Sequence, residues 1–432
     1  RNRSSAASDV YKRQVLMSPL DFIEQPSSWL SLISKYQATT SGGPNFGYAY
    51  ATDKIPQKEL DGLDLSYWRA AFCGAEPVLA NTLQSFAKRF SDIGFKASSL
   101  LPCYGLAEST LMVTGRVGEP AQMMYKASRS ALKQGRYEPP VDQHDEQLLM
   151  SCGQANEYMS VAIAEPESAR LLEDGRIGEI WIKGSSVAQG YWHDESSTAD
   201  RFNAWLKLPV KNSHQLAHIQ AGPYLRSGDL GFIHQGELFV TGRLKDLIII
   251  RGRNVYPHDI EHALGHAVSG ISRHALAAVG IAYEDFQKLH GLQANHSLSS
   301  LNAVTPSVTS LHSNRFDDQG ERLVIVAELD RHCQQYDFAA IYASIRETLI
   351  ELFELTADEV VLIAPGSILR TTSGKLRRSE IGEQYLSSDL AVIAKSMQAD
   401  QVSSGNNTVA SALPAPHGLR TTKAVQPEQE EV

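Results

Sequence analysis

The chain has no dense cysteine framework. Its four cysteines, Cys73, Cys103, Cys152 and Cys333, are scattered over 432 residues. No CxxC pair is among them, which excludes a thiolate zinc site of the usual spacing and a disulfide-stapled secreted module. A reducing, cytoplasmic setting is expected. There is no run of about 20 apolar residues to span a bilayer, and no apolar core near the start of the kind a signal peptide needs. Positive charge is not in excess: 40 Lys+Arg against 49 Asp+Glu give a formal charge of −9, with His neutral. That balance argues against a nonspecific nucleic-acid binder.

What is present is globular material. A hydrophobic fraction of 42%, with 8% aromatic residues, is enough for substantial cores and, at this length, about two or three domains. It excludes a disordered or collagen-like chain. The polar opening, residues 1–14, begins without Met and is expected to be disordered or foreign to the natural sequence. Leu79, Leu83, Phe86, Ala87 and Phe90 recur at helical spacing and predict a helix with one buried face. From Gly178 the pattern turns to strands: GEIWIKG alternates, and GFIHQGELFVTG reads as two strands joined at Gln235-Gly236. DLIIIRG (Asp246–Gly252) reads as a further apolar strand, and Pro257 opens a helix over HDIEHALGHA.

A small α+β module is expected from there. Its buried strands are Ala275–Ala282 and Leu323–Leu329, and Phe338, Ile341, Ile345, Leu349 and Leu352 mark a helix face. Between the two strands, Gln287–Gly320 is rich in Ser, Asn and His and predicts a long exposed loop. Beyond Ser388, and clearly from Gln398, the apolar period fades, and residues 388–432 are expected to be an unstructured tail or linker.

Three clusters carry chemistry. In CGAEPV (Cys73–Val78) and PCYGLAEST (Pro102–Thr110), Gly74 and Ala75 let a backbone approach a flat ring. Tyr104 offers a stacking face, and Glu108 offers an oxygen to a hard cation such as Mg²⁺. Taken alone, the same residues are equally a Gly turn, a core Tyr and a solvated Glu. In RSGDLG (Arg226–Gly231) followed by TGRLKDLIIIRGRNVYPHDIE (Thr241–Glu261), Asp229 can accept both hydroxyls of a ribose. Arg243 can reinforce the sugar or a phosphate. In ILRTTSGKLRR (Ile368–Arg378), a Ser-Gly turn presents Lys375 among other cations. By itself such a basic loop is more often a solvated face.

In this order and spacing the clusters resemble the adenylate-forming superfamily of acyl-CoA synthetases, peptide-synthetase adenylation domains and luciferases. TTSGGPNFGYAY (Thr39–Tyr50), WRAAFCGAEPV, YGLAESTLMVTG and SCGQ (Ser151–Gln154) are most similar to its fatty acyl-AMP ligase branch. The resemblance covers about Leu16–Tyr385. A stretch of 45 positions separates Glu108 from Gly153, and residues 116–147 lie where that branch carries an insertion thought to hinder the domain rotation used for thioesterification by coenzyme A.

The implied fold is α/β: the C-terminal part of a large AMP-binding domain over 15–245, with mixed sheets, helices and a β-rich subdomain, then a small mobile α+β domain over 246–387. The implied activity is ATP-dependent adenylation of a fatty acid to acyl-AMP with pyrophosphate release, for transfer to an acyl carrier protein in lipid or polyketide assembly. An acyl-CoA synthetase and a non-catalytic nucleotide- or acyl-binding remnant are the alternatives. By resemblance, Gly74, Ala75 and Glu76 form the adenine-side loop, Tyr104 stacks on adenine with Gly105 beside it, and Glu108 holds Mg²⁺. Asp229 and Arg243 contact the ribose, Lys245 is the hinge, and Lys375 bridges the carboxylate and the α-phosphate. One family part is unmatched. The Ser/Thr/Gly-rich phosphate loop ending in Pro-Lys-Gly has no counterpart, since Asn45 follows Pro44 in TTSGGPNF. The expectation is an N-terminally truncated ligase that binds ATP poorly alone.

Overall fold

The computed structural model describes residues 13–115, 124–208, 221–291, 320–371 and 375–397. The expected opening segment up to residue 12 lies outside them. In the larger lobe, α1 (Pro19–Glu24) and α2 (Ser27–Tyr36) precede a parallel sheet of β1 (Thr40–Gly43), β2 (Ala70–Cys73) and β3 (Leu100–Pro102), with α3 (Asn45–Lys54) and α4 (Ala80–Arg89) in its crossovers. The stripe foreseen on α4 is buried. Phe86 sits among Trp29, Tyr48, Trp68, Phe90 and Phe95 with ring centroids 4.6–6.1 Å away. These are edge-on and tilted contacts that add to the area such rings bury.

Short strands follow. β4 (Tyr104–Leu106) and β5 (Leu111–Gly115) form one small sheet with β8 (Gln154–Ala155), while β6 (Met124–Ser128) and β7 (Glu146–Met150) form a hairpin that encloses α5 (Arg129–Lys133). An antiparallel sheet then runs β12-β11-β10-β9 through β9 (Met159–Ala164), β10 (Gly178–Gly184), β11 (Leu225–His234) and β12 (Glu237–Arg243), with α6 (Glu195–Phe202) after β10. Gln235 and Gly236 have φ of 54° and 78°. Two successive left-handed residues match the twist of a two-residue hairpin.

The smaller lobe opens differently from the sequence expectation. Residues 246–252 are not one strand: β13 (Ile248–Ile250) turns back through Arg251 and Gly252, with φ of 51° and 74°, into β14 (Arg253–Val255). The left-handed pair ends the apolar run. There follow α7 (Pro257–Ala267), β15 (Ile271–Ala282), α8 (Tyr283–His290), β16 (Glu321–Leu329), α9 (Phe338–Phe353), β17 (Glu359–Ile363), α10 (Arg378–Ser387) and β18 (Val392–Met397). Residues 287–290, expected in the long loop, are the last turn of α8, where Phe286 is buried and His290 faces Glu359. Residues 292–319 lie outside the described chain.

The sheet runs β15-β16-β17-β18, and its alternation divides two cores. Leu276, Ala278, Leu323, Ile325, Ala327, Val360 and Leu362 face one layer with Ile260, Leu264, Ile341, Ile345 and Leu349. Their neighbours Ala277, Val279, Val324, Val326, Val361 and Ile363 face Phe286, Ile381 and Tyr385 on the other. Side chains of period two are apolar on both faces, so the strands read as unbroken hydrophobic runs.

The expectation of an unstructured chain from residue 388 is corrected by β18, which pairs antiparallel with β17. Ile393 and Ala394 pack against the first core, and Lys395 Nζ lies 3.6 Å from the buried Glu359 carboxylate, which also meets His290 Nε2 at 3.1 Å and the Tyr385 hydroxyl. An open β17 edge and a buried acid recruit a segment whose own apolar signal is short. Residues 398–432 are outside the described chain. No helix among the described residues is long and apolar enough to cross a membrane.

Ending the chain after Ser388 instead of Gln398 is expected to lower the thermal midpoint by at least ~2 °C, because it frees the β17 edge and removes one partner of Glu359. Equal midpoints would show that β18 adds nothing.

Candidate functional site

A cleft of about 1430 Å³ lies between the lobes and is lined from both. The larger lobe supplies Ala75, Glu76, Tyr104, Gly105, Glu108, Asp229 and Arg243 to it, and the smaller supplies Lys375. The structure thus gathers these sequence-predicted residues around one space. Gly74 is not part of the lining, and Lys245 stands exposed on the single 3₁₀ turn Leu244–Asp246 between β12 and β13.

Local geometry explains the residue types. A Cβ on Gly74 would stand 2.7 Å from the Cys103 carbonyl oxygen, and one on Gly105 would stand 1.5 Å from that of Leu111. No side chain fits at either position without moving backbone. Between them in function, Ala75 holds φ of 70°, a left-handed conformation uncommon for a residue with a Cβ. One Glu76 oxygen accepts the Phe46 N–H at 2.5 Å and caps the start of α3, where Pro44 has no capping side chain. Burial pushes the Glu76 pKa up, opposed by that N–H and by the charges of Lys375, Arg378 and Arg370.

Asp229 and Arg243 are cross-strand partners at the end of the β11–β12 ladder. Arg243 Nε donates to Asp229 Oδ1 at 3.2 Å, and the buried Tyr104 hydroxyl donates to Asp229 Oδ2 at 2.8 Å. The Asp229 amide bonds Ser227 Oγ at 3.0 Å, which fixes the turn below it. Burial pushes the Asp229 carboxyl up, and Tyr104, Arg243 and Lys375 oppose it. Each Asp229 oxygen retains a second acceptor direction, so vicinal hydroxyls can share the carboxylate with its protein partners.

Glu108 lies on a 3₁₀ turn (Ala107–Ser109), and its Oε1 accepts the Tyr191 hydroxyl at 2.8 Å. Among the described residues no three His, Cys, Asp or Glu side chains come together as a metal centre. Glu108 itself offers a carboxylate oxygen that a hard cation could use.

Sequence reasoning did not single out three groups. Tyr191 holds Glu108 from 83 positions away. Arg378 forks onto Glu261 with Nε–Oε1 2.8 Å and Nη2–Oε2 2.7 Å, and its Nη1 reaches Asp246 at 3.0 Å. Burial opposes the Arg378 charge, but these carboxylates raise its pKa further. His258, His262 and His266, all lining the cleft, recur at four-residue spacing on α7, a signal the helix pattern could have given. His266 Nδ1 lies 2.8 Å from the His262 carbonyl oxygen.

Residues 12–192 match the model of the family described as AMP-binding enzyme. The chain is 36% identical over 383 residues to the medium-chain-fatty-acid–[acyl-carrier-protein] ligase JamA of Moorena producens, over 87% of this chain and 57% of that protein. With the ligase of the same description from Teredinibacter turnerae, TtuA, identity is 34% over 84% of this chain and 51% of that one. A solved structure from a study of fatty acyl-adenylate ligases of E. coli and L. pneumophila superposes with a TM-score of 0.67 at 29% identity, over 86% of this chain and 57% of that chain. This chain spans about half the length of the relatives it matches.

The cleft carries one titration that stability can read. Burial, then the His266 charge, lowers the His262 pKa to about 4. The unfolded chain, with a His pKa of about 6.5, binds the extra proton first as pH falls. The contribution of neutral His262 is thus fully present above about pH 6.5 and is lost as pH falls towards about 4. His262→Gln should flatten the urea midpoint across that window, and unchanged slopes would refute the assignment.

Proposed function

We propose that the chain, whose residues 12–192 match the AMP-binding enzyme family, is part of a fatty acyl-AMP ligase. In this reading ATP and a fatty acid give acyl-AMP and pyrophosphate, and the acyl group passes to an acyl carrier protein. The observation that carries it is the meeting, in one cleft, of Tyr104, Asp229 and Arg243 from one lobe with Lys375 from the other. Tyr104, with Gly105 and the Gly74–Glu76 loop, receives the adenine. Asp229 and Arg243 take the ribose hydroxyls.

A carboxylate oxygen of the fatty acid forms a bond to the α-phosphorus as the bond to pyrophosphate breaks. Negative charge gathers on the α-phosphoryl oxygens, where the Lys375 ammonium stabilises it. Glu108 is the residue that would hold Mg²⁺, which when bound neutralises phosphate charge. No covalent enzyme intermediate is needed. The remaining contribution is orientation, since carboxylate and α-phosphate held in line react as one unit.

The segment around α5 supports the fatty acyl-AMP ligase branch over acyl-CoA synthetases. Lys133 Nζ donates to the Phe353 carbonyl at 3.3 Å, at the C-terminal end of α9, and lies 3.7 Å from Glu354. Gln147 Nε2 donates to Asp259 Oδ2 at 3.2 Å. These bonds tie the insertion to the smaller lobe, and a cation suits the negative end of α9. Lobe rotation towards a thioester-forming arrangement would have to break them.

Fatty-acid-dependent pyrophosphate release tests the reading, run on this chain and on a form that carries a relative's phosphate-loop segment in front of it. In the active form Lys375→Ala should lower acyl-AMP formation about 100-fold or more, with AMP affinity nearly unchanged. Asp229→Asn should instead weaken AMP binding by roughly tenfold. Full activity in Lys375→Ala would overturn the site assignment, and a coenzyme A thioester made as fast as acyl-AMP would move the chain to the acyl-CoA synthetases.

A further inference from the structure

Helix α3 presents Phe46, Tyr50 and Asp53 at spacings of four and three, one face of the helix. That face meets the smaller lobe. Asp53 Oδ2 accepts from Arg273 Nη1 at 3.1 Å and from His274 Nε2 at 3.2 Å. The His274 ring packs edge-on to Phe46 and Tyr50, with centroids 6.0 and 6.4 Å apart. Burial would raise the Asp53 carboxyl, but the bonds from His274 and Arg273 hold it at about 2, so it stands as a carboxylate at neutral pH.

The contacts continue from His274 towards Lys375. The His274 carbonyl accepts a bond from Arg370 Nη2, and the Arg370 guanidinium lies 5.9 Å from the centre of the Phe46 ring. Arg370 lies five residues before the lysine, and residues 372–374 between them are outside the described chain. Arg370 bridges to Leu376, the Thr371 amide donates to the Lys375 carbonyl at 2.8 Å, and the Lys375 amide donates to Thr371 Oγ1 at 3.1 Å. The Arg370 end of this pairing is therefore tied to His274, the Lys375 end is tied to Arg370 and Thr371, and His274 is gripped by a carboxylate of the opposite lobe.

We propose that Asp53 is a positioning residue for Lys375, holding the lysine at the cleft through His274 and Arg370. The inference rests on the reading of Lys375 as the group that meets the reacting phosphate. Asp53 touches no substrate in it. Asp53 holds Arg273 and His274 where β15 breaks register with β16 between Ile271 and Leu276, the backbone carbonyl of His274 holds Arg370, and Arg370 pairs with the residues around Lys375. A charge at Asp53 is needed because a neutral amide cannot serve two cationic or N–H donors on one oxygen with comparable strength.

Hydrogen exchange of the full chain tests this without activity. In Asp53→Asn the amides of 370–371 and 375–377 should exchange roughly tenfold faster while those of β16 keep their protection, and Asp53→Glu should restore most of the loss. The paired variant Arg273→Gln/His274→Gln removes the donors from the other side and should give the same pattern. It decides the matter if Asp53→Asn also loosens β16. In the active form, Asp53→Asn should lower kcat for acyl-AMP by about tenfold with KM for ATP little changed.

Unchanged exchange around Lys375 in both variants would overturn the proposal, as would faster exchange with an unaltered kcat. If the parent protein releases no pyrophosphate at all, the ligase reading fails instead, while the exchange data still report whether Asp53 holds the turn.

Discussion

The guanidinium of Arg378 is the junction on which the smaller lobe and its placement depend. It opens α10 three residues after Lys375, forks onto Glu261 of α7 and reaches Asp246 in the turn between the lobes. Glu261 Oε1 in turn accepts the Ala278 N–H of β15 at 3.1 Å. One planar cation thus fixes a helix, a strand, the inter-lobe turn and the base of the lysine loop. Breaking this partly buried network leaves a charge without its partner and costs more than breaking a surface pair. An exposed pair such as Arg170–Glu165, with side chains 64% and 43% exposed, belongs to the class worth about 0–1 kcal/mol. The two kinds of ion pair therefore do different jobs: one sets geometry and the other decorates the surface.

The cleft follows the same electrostatic logic. Its partly buried carboxylates, Glu76 and Asp229, come from the larger lobe, and the cations Lys375, Arg370 and Arg378 that oppose their burial come from one short segment of the smaller. The acids would be costly without those charges. An anionic ligand in the cleft would compete for the same cations. The groups that face one another across the cleft are these few charges, with the Phe46 and Tyr50 contacts to His274 beside them.

Local structure was legible in the sequence wherever it depended on near neighbours. The stripe on α4, the Gln235-Gly236 hairpin and the two apolar strands of the smaller lobe each carry their own period or turn chemistry. So did the positions of Tyr104, Asp229, Arg243 and Lys375, which sit in motifs whose order is informative. What could not be read depends on partners distant in sequence. β18 forms because β17 offers an open edge and Glu359 needs Lys395. The apolar run at 246–252 folds back because Arg251 accepts a left-handed conformation beside Gly252. The grip of Asp53 on His274 joins residues 221 apart, and Tyr191 meets Glu108 only once the β10 end and the Ala107–Ser109 turn are in place.

The sheet of the smaller lobe works as a partition. Adjacent residues of one strand, Leu276 and Ala277, belong to different cores, one shared with α7 and α9 and the other with α8 and α10. A change of volume in one core is absorbed among the helices on that side and meets, across the strands, only a rigid backbone. The layer bearing α7, which lines the cleft, and the layer bearing α10, which anchors the lysine loop, can therefore drift in sequence separately. The places where they must change together are the few that cross the partition, above all Glu261 and Arg378.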